Sequence, residues 1–417
     1  MLFLYRILIN FIVLISPFII FFRLLKKKEN FFRFKEKFCF FSKKRIEGKV
    51  IWFHGASVGE LLSIFPLLKK IEKNKNFSQI LVTSNTLSSS KIMDKIKSKK
   101  IIHQFFPIDS NSLTKKFLNY WNPSFVFFID SEIWPNMIFN LKRKNIPTGL
   151  LNGRITKKTF NRWKLFSNFS KKIFENIVFC LASSNESKKY LKKLGIKNVK
   201  FFGNLKFSQL ENEKNEIDSD LKKFMKTKKV WCASSTHESE EKFCGNAHLT
   251  IKRKYKDLLT IIIPRHIERI DAIKNELQKL NLKVHIHEPK KKINNQTDIY
   301  LVNSYGKTKS FYNNCKTIFL GGSMINHGGQ NPLEATRYGC KVLHGPNVQN
   351  FTEIYNFLKK NKMSFKIKNK NNLTKLLTKF LNENKNSKKI QNKLNLIGTK
   401  TLDKTNSEIN LFFKNEL

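Results

Sequence analysis

Acidic residues are scarce in this chain. Against 79 Lys and Arg stand 31 Asp and Glu over 417 residues, giving a formal net charge of +48. Arginine is scarce too: 11 of the basic residues are Arg and 68 are Lys. Arg reads phosphate and guanine bidentately, whereas Lys is a solvated point charge. The lysines are spread along the whole chain among Asn, Ile and Phe, the pattern of a compositional bias on exposed positions. No nucleic-acid partner is therefore expected, despite a charge that neutralises phosphates well. Cysteine is sparse and scattered (Cys39, Cys180, Cys232, Cys244, Cys315 and Cys340), with no CxxC pair. That argues against a zinc ribbon, a thioredoxin-like site or a disulfide scaffold, and fits a reducing, cytosolic-side location. Apolar residues are not lacking. At 41% of the chain they suffice for sizeable cores and exclude a disordered polyelectrolyte. The length predicts two or three domains of roughly 100–200 residues each.

The first 25 residues, MLFLYRILINFIVLISPFIIFFRLL, form an apolar run interrupted by Arg6, Asn10 and Arg23, and Lys26, Lys27 and Lys28 follow directly. About 20 apolar residues can span a bilayer, and a basic cluster after them belongs on the cytoplasmic side. Bulky Phe and Lys follow where a signal peptide would carry a small-residue cleavage site. Residues 1–25 are thus expected to anchor the protein at a membrane, either spanning it or lying in its interface with a kink at Pro17.

A Lys/Phe-rich helical stretch is expected over Asn30 to Lys44. Beyond it, short apolar runs alternate with helical patterns. Val50–His54, Gln79–Thr83, Phe125–Ile129 and Ile177–Ala182 read as strands, with helices over Gly59–Glu72, Ser89–Lys97 and Pro135–Lys144. This rhythm predicts βαβ units and a parallel sheet. The polar stretch 211–228 reads as a linker. A second α/β half follows, with strands at 229–233, 259–263, 283–287, 299–302, 317–320 and 341–344. The expected fold is α/β, two Rossmann-like doubly wound domains over 26–210 and 229–371. C-terminal helices over 372–417 are expected to pack back on the first domain. Ligands in such sheets bind beyond the carboxyl ends of strands, and the main cleft is expected between the two halves.

The polar residues gather at those strand ends. His54-Gly55-Ala56-Ser57-Val58-Gly59-Glu60 closes the first strand, and Glu60 opens a helix. A carboxylate there can take a proton from an attacking hydroxyl, or simply favour the helix N-terminus; spacing leaves both open. No G-x-S-x-G elbow accompanies His54 and Ser57, which counts against a serine nucleophile. Asp130-Ser131-Glu132-Ile133-Trp134-Pro135-Asn136 ends a second strand. Its carboxylates are candidates for catalysis, for capping and, weakly, for a metal. Asn152-Gly153-Arg154 and Gly203-Asn204-Leu205-Lys206 set a cation beside a small residue, which suits an anionic substrate. In the second half, Ala233-Ser234-Ser235-Thr236-His237-Glu238, Pro264-Arg265-His266, Gly321-Gly322-Ser323 and His327 to Ala335 all follow strands. Glycine-rich turns at helix N-termini offer N–H groups to phosphate, and a Glu just inside such a helix can accept ribose hydroxyls. A nucleotide site is the expectation, without a Walker loop or a full G-x-G-x-x-G.

Taken in order, HGASVGE (54–60), SEIWPN (131–136), NGR (152–154), GNLKF (203–207), ASSTHE (233–238), PRH (264–266) and HGGQNPLEA (327–335) resemble the bacterial Kdo (3-deoxy-D-manno-octulosonic acid) transferases over nearly the whole chain. The resemblance implies the two-domain glycosyltransferase B fold and transfer of Kdo from CMP-Kdo to the lipid A precursor, lipid IVA. It makes Glu60 the general base and Glu132 and Lys206 stabilisers of the transition state. CMP would be held by Pro264, Arg265 and His266, by Tyr305, Gly306 and Lys307, and by Asn331, Pro332, Leu333 and Glu334. His54, Ser57, Arg154, Gly322, Ser323, Gly328, Gly329 and Gln330 are the expected substrate contacts. No catalytic metal or other cofactor is implied. Lys307 departs from the family pattern, which usually has an acidic residue after that glycine. Expected partners are CMP-Kdo, lipid IVA and the membrane surface, at the inner membrane with the folded domains in the cytoplasm. Lys26–Lys44 would help seat the protein on anionic lipid at about 1 kcal/mol per cation. The competing readings are a UDP-sugar transferase or epimerase of the same architecture, and a membrane-tethered, non-enzymatic nucleic-acid or lipid binder.

Overall fold

The computed structural model describes residues 1–209, 217–288, 293–383 and 387–416. The chain forms two compact units, Met1–Leu210 with Asn395–Leu417, and Glu211–Leu394.

The first unit is built on seven strands: β1 (Val50–His54), β2 (Gln79–Ser84), β3 (Ile101–Phe105), β4 (Phe125–Ile129), β5 (Thr148–Gly153), β6 (Phe179–Ala182) and β7 (Val199–Lys200). They run parallel in the order β3-β2-β1-β4-β5-β6-β7. The central strands VIWFH and FVFFI are buried at every position, as a parallel sheet covered on both faces requires. Alternate side chains feed two cores. Trp52, Val126 and Phe128 pack with Phe117 and Trp121 on one face. Ile51, Phe53, Phe125 and Phe127 pack on the other with Phe412 and Phe413, which the terminal helix Ser387–Glu416 contributes.

The second unit repeats the plan with β8 (Lys229–Thr236), β9 (Leu258–Pro264), β10 (Val284–Ile286), β11 (Ile299–Leu301), β12 (Thr317–Leu320), β13 (Lys341–His344) and β14 (Ser364–Lys366). Its order is β10-β11-β9-β8-β12-β13-β14, again all parallel. Each sheet starts near its middle, builds out to one side, and then crosses to the other. The reversals fall between β1 and β4 and between β8 and β12. Loops leaving adjacent strands in opposite directions open a crevice there.

Several expected boundaries are corrected. Asn30 to Lys44 is not a continuous helix: it holds one short 3-10 helix, Phe34–Phe38, stopped by Cys39 at φ 61°. Glu36 turns inward there, binding Arg33 at 2.8 Å and the Phe105 N–H at 2.7 Å. The helix expected over Ser89–Lys97 covers Leu87–Met93. Of the expected linker 211–228, residues 211–216 lie outside the described residues. Its remainder contains the helix Ser219–Lys226, whose Leu221 and Met225 enter the core of the second unit. Within the stretch 372–417, the helix Lys370–Leu381 belongs to the second unit, and residues from Asn395 onward belong to the first.

Candidate active site

The β1/β4 reversal carries most of the catalytic candidates. Ser57 caps the helix Val58–Glu72 in a capping box. Glu60 Oε2 accepts the Ala56 N–H at 2.6 Å and the Ser57 N–H at 3.3 Å, and the Ser57 hydroxyl donates to Oε1 at 3.0 Å. The helix-terminus role is therefore real, and it fixes the carboxyl in place. The same carboxyl is pushed up to about 7, first by burial and then by the charges of Glu132 and Asp130. A carboxyl poised near neutrality is ionised often enough to act as a base and basic enough to hold the proton it takes.

Glu132 is oriented by one indole N–H and flanked by a buried imidazole. The Trp134 indole donates to Oε2 at 2.9 Å, and His54 Nε2 lies 3.3 Å from the same oxygen. The Trp52 indole donates to Thr83 Oγ1 at 2.8 Å, and that hydroxyl lies 2.9 Å from His54 Nδ1. An indole only donates, so the Thr83 proton goes to Nδ1 and the Nε2 proton faces Glu132. His54 is fully buried, and burial pulls its imidazole down. It therefore stands beside Glu132 as a neutral imidazole, with Nε2 short of a formed hydrogen bond.

Lys206 arrives from a different segment. Asn152, at the end of β5 with φ 54°, accepts the Leu205 N–H at 2.9 Å. Asn204 accepts the Lys206 N–H at 2.9 Å. The Lys206 ammonium then meets Asp130 Oδ2 at 2.7 Å. Asp130 is buried at φ 61°, and its Oδ1 has no hydrogen-bond partner among the described residues. The Arg154 N–H donates to the Asp130 carbonyl at 2.9 Å. Glu60, Glu132, Lys206, His54, Ser57 and the backbone of Arg154 are thus brought to one crevice. Sequence reading names Asn152 and Asn204 in their motifs and Thr83 at the end of its strand, but not the contacts by which they hold this group in position. It weighed Asp130 without pairing it to Lys206.

The β8/β12 reversal gathers the second group. Gly321 packs so tightly that a Cβ would stand 2.3 Å from the Ser235 carbonyl. The N–H groups of Gly322 and Ser323, expected to face a ligand, are already taken. Glu240 Oε2 accepts those of Gly322 (2.7 Å) and His237 (3.0 Å), and Oε1 accepts those of Ser323 (3.1 Å) and Met324 (2.9 Å). Sequence reading missed Glu240, although it stands three residues after His237, as Glu60 stands three after Ser57. The Gly329 N–H is likewise bound, to the Gly322 carbonyl at 2.8 Å, and the Gly328 carbonyl accepts the Asn350 N–H. The Gln330 carbonyl accepts the Tyr355 hydroxyl at 3.0 Å.

Side chains do face outward around this core. Arg265 and His266 are exposed after β9, while Pro264 closes that strand and is buried. The His237 ring stands 4.5 Å from that of His327 and 5.7 Å from that of His266. Burial, and then those two imidazoles, pull His237 down to about 4. With its Nδ1 on the Ser235 carbonyl at 3.1 Å, its buried Nε2 is an acceptor with no partner among the described residues. Tyr305 is exposed, with its hydroxyl 3.5 Å from Glu268; Gly306 turns at φ 79°, and Lys307 leads into the helix Thr308–Asn314. Asn331 Oδ1 accepts the Leu333 N–H at 3.1 Å, ahead of the short helix Leu333–Arg337. Pro332 and Leu333 are buried, so Leu333 can offer a ligand backbone only, whereas Glu334 is half-buried. Among the described residues, no group of three or more His, Cys, Asp and Glu side chains is arranged to hold a metal ion.

Comparisons with known proteins bear on the family and the fold. Residues 32–209 match the family model described as 3-deoxy-D-manno-octulosonic-acid transferase (kdotransferase). The 3-deoxy-D-manno-octulosonic acid transferase of Rickettsia bellii is 33% identical over 363 residues, covering 86% of each chain. A probable mitochondrial 3-deoxy-D-manno-octulosonic acid transferase of Arabidopsis thaliana is 30% identical, over 80% of this chain and 76% of that one. Among solved structures, a putative UDP-N-acetylglucosamine 2-epimerase from Listeria monocytogenes superposes with a TM-score of 0.62 at 14% identity. The match covers 87% of this chain and 97% of that one, and it shows a shared fold only.

Proposed function

The chain belongs to the 3-deoxy-D-manno-octulosonic acid (Kdo) transferase family, and from that premise we propose that it transfers Kdo from CMP-Kdo to lipid IVA. The first unit takes the acceptor. The acceptor hydroxyl oxygen bonds to the anomeric carbon of Kdo, Glu60 takes the hydroxyl proton, and the bond from that carbon to the CMP phosphate oxygen breaks with its electron pair leaving on CMP. The observation that carries this reading is the near-neutral Glu60 carboxyl, held by Ser57 and Ala56 beside Glu132 and Asp130. Lys206 supplies positive charge, and Glu132 balances the charge developing on the transferred sugar.

The second unit takes the nucleotide. Arg265 and His266 suit the phosphate, Glu334 the ribose hydroxyls, and the acceptor His237 Nε2 an amino group. Backbone from the Tyr305–Lys307 turn and from Asn331 to Leu333 completes the site. Gly322, Ser323 and Gly329 support it from within, their N–H groups already bound, and Gly328 is a remaining substrate contact. No metal is assigned a role. The protein is placed at the cell inner membrane, with both units in the cytoplasm and residues 1–25 as the attachment.

Purified protein given CMP-Kdo and lipid IVA is expected to release CMP and yield a Kdo-bearing lipid by mass analysis. Absence of both products, or preferential binding of UDP over CMP, would overturn the proposal.

A further inference from the structure

The helix Leu2–Leu25 is long and apolar enough to cross a membrane, yet it is fastened to the first unit along its whole length. Tyr5, Ile9, Val13, Ser16, Ile20 and Arg23 are all wholly or partly covered, a continuous stripe at helical spacing. The opposite face is bare: Phe3, Leu8, Phe11, Leu14, Phe18 and Phe22 are each more than half exposed. Both ends are tied by polar bonds. At the start, the Tyr5 hydroxyl donates to Asp109 Oδ2 at 2.7 Å, and Arg6 Nε donates to Asn136 Oδ1 at 3.0 Å. At the end, Arg23 Nε binds the buried Glu29 at 2.7 Å, and Lys37 holds the same carboxylate.

These contacts decide between crossing and lying flat. Tyr5 and Arg23 are about 27 Å apart along a helix that rises about 1.5 Å per residue. That is close to the roughly 30 Å hydrocarbon thickness. A spanning helix would put Tyr5 on the far side of the bilayer from Asp109, so the two ties cannot coexist with a span. The backbone is also finished for an apolar medium. Pro17 has no N–H for the Val13 carbonyl, and the Ser16 hydroxyl supplies the missing donor at 2.7 Å.

We propose that residues 2–25 lie in the plane of the membrane as an interfacial helix, seating the first unit on an anionic lipid surface through the bare apolar face. Charge complementarity selects this occupant. Lys26, Lys27, Lys28, Lys35, Lys43 and Lys44 are exposed beside the helix, interleaved with the exposed Phe31, Phe32 and Phe40. The seat is joined to the site as well. Asp109, which takes Tyr5, also accepts the N–H groups of Asn136 (3.0 Å) and Met137 (2.8 Å) in the first turn after the Glu132 loop. A lipid acceptor would thus be met by a loop clasped to the element that touches the membrane.

This inference deepens the membrane location proposed above and is tested without turnover. Its failure leaves the transferase reading standing, and a failure of CMP release leaves this one standing. The full-length protein is expected to float with phosphatidylcholine vesicles containing phosphatidylglycerol, and more weakly without it. Equal affinity for both would overturn the anionic surface. Replacing two exposed residues together, Phe11→Glu with Phe18→Glu, is expected to weaken partitioning by about a hundredfold with the fold intact. Unchanged flotation would overturn the apolar seat. Spin labels on Phe3→Cys, Leu14→Cys and Phe21→Cys, which share one helix face, then read depth against a background of buried native cysteines. Three equal, shallow depths are expected. A deep centre between two shallow ends would establish a span and overturn the proposal. Dimers in place of flotation would overturn it in favour of a second copy on that face.

Discussion

The two units place a glutamate at the same topological address and use it oppositely. Glu60 and Glu240 both follow the first strand of their sheet, and both reach back to the N–H three residues earlier. Glu240 is fully buried and accepts four N–H groups, from His237, Gly322, Ser323 and Met324. It is an architectural carboxylate that ties β8 to β12. Glu60 accepts two N–H groups and one hydroxyl, and it faces Glu132 and Asp130 across the crevice. Residue type and spacing do not separate the roles. The number and source of the donors do.

The strongest way to break this comparison is Glu60→Gln. Turnover is expected to fall by about 10²–10⁴-fold, with CMP affinity unchanged in a binding titration. The sign of the stability effect is also set. A carboxyl raised in the folded state stabilises folding fully below its unfolded value, and that contribution is lost as pH rises through about 7. Above pH 7 the amide should therefore melt higher than the wild type, a gain that disappears in acid; equal melting at both pH values would remove the charge-crowding account. Glu240→Ala should do the reverse. Orphaning four buried donors costs about 3 kcal/mol or more in thermal or urea melts, with the pH profile of any remaining turnover unchanged.

Lys206→Met comes next. Losing the cation beside Asp130 is expected to lower kcat by about 10–100-fold, a loss of roughly 1.4–2.8 kcal/mol of transition-state stabilisation, with little change in the donor KM. Glu132→Gln should also lower turnover. It removes the stronger of the two neighbouring charges that raise Glu60, so the acidic limb of the residual pH–rate profile should move to lower pH. A fixed limb would assign that titration to another group. The smallest expected effect is that of a chelator: EDTA should leave CMP release unchanged, and loss restored by a divalent cation would contradict the metal-free mechanism.

Much of the first sheet was legible because its central strands are unbroken apolar runs. Phe125–Ile129 was read at its observed limits. Strand β3 was not read, because His103 and Gln104 interrupt the run; His103 is nevertheless buried, with its Nδ1 3.0 Å from Arg33 and its Nε2 2.9 Å from Ser84. Strand β5 was hidden by Gly149, which is there because a Cβ would stand 2.6 Å from the Phe127 ring. In the site, Glu60, Glu132 and Lys206 were visible through their motifs. Their supports were not, since Asn152 and Thr83 act through contacts distant in sequence. The glycine-rich turn at 321–323 looked like a ligand cradle, because nothing local shows that Glu240 fills it.

The terminal helix has a consequence for synthesis. Phe412 and Phe413 finish a core whose other members, Phe125, Phe127 and Phe179, lie in the first half of the chain. A ribosome moving at about 5–20 residues per second makes the second unit between them, a delay on the order of ten to forty seconds. Throughout that interval Phe125, Phe127 and Phe179 have the cover of Leu61, Ile64 and Leu68 but lack that of Phe412 and Phe413.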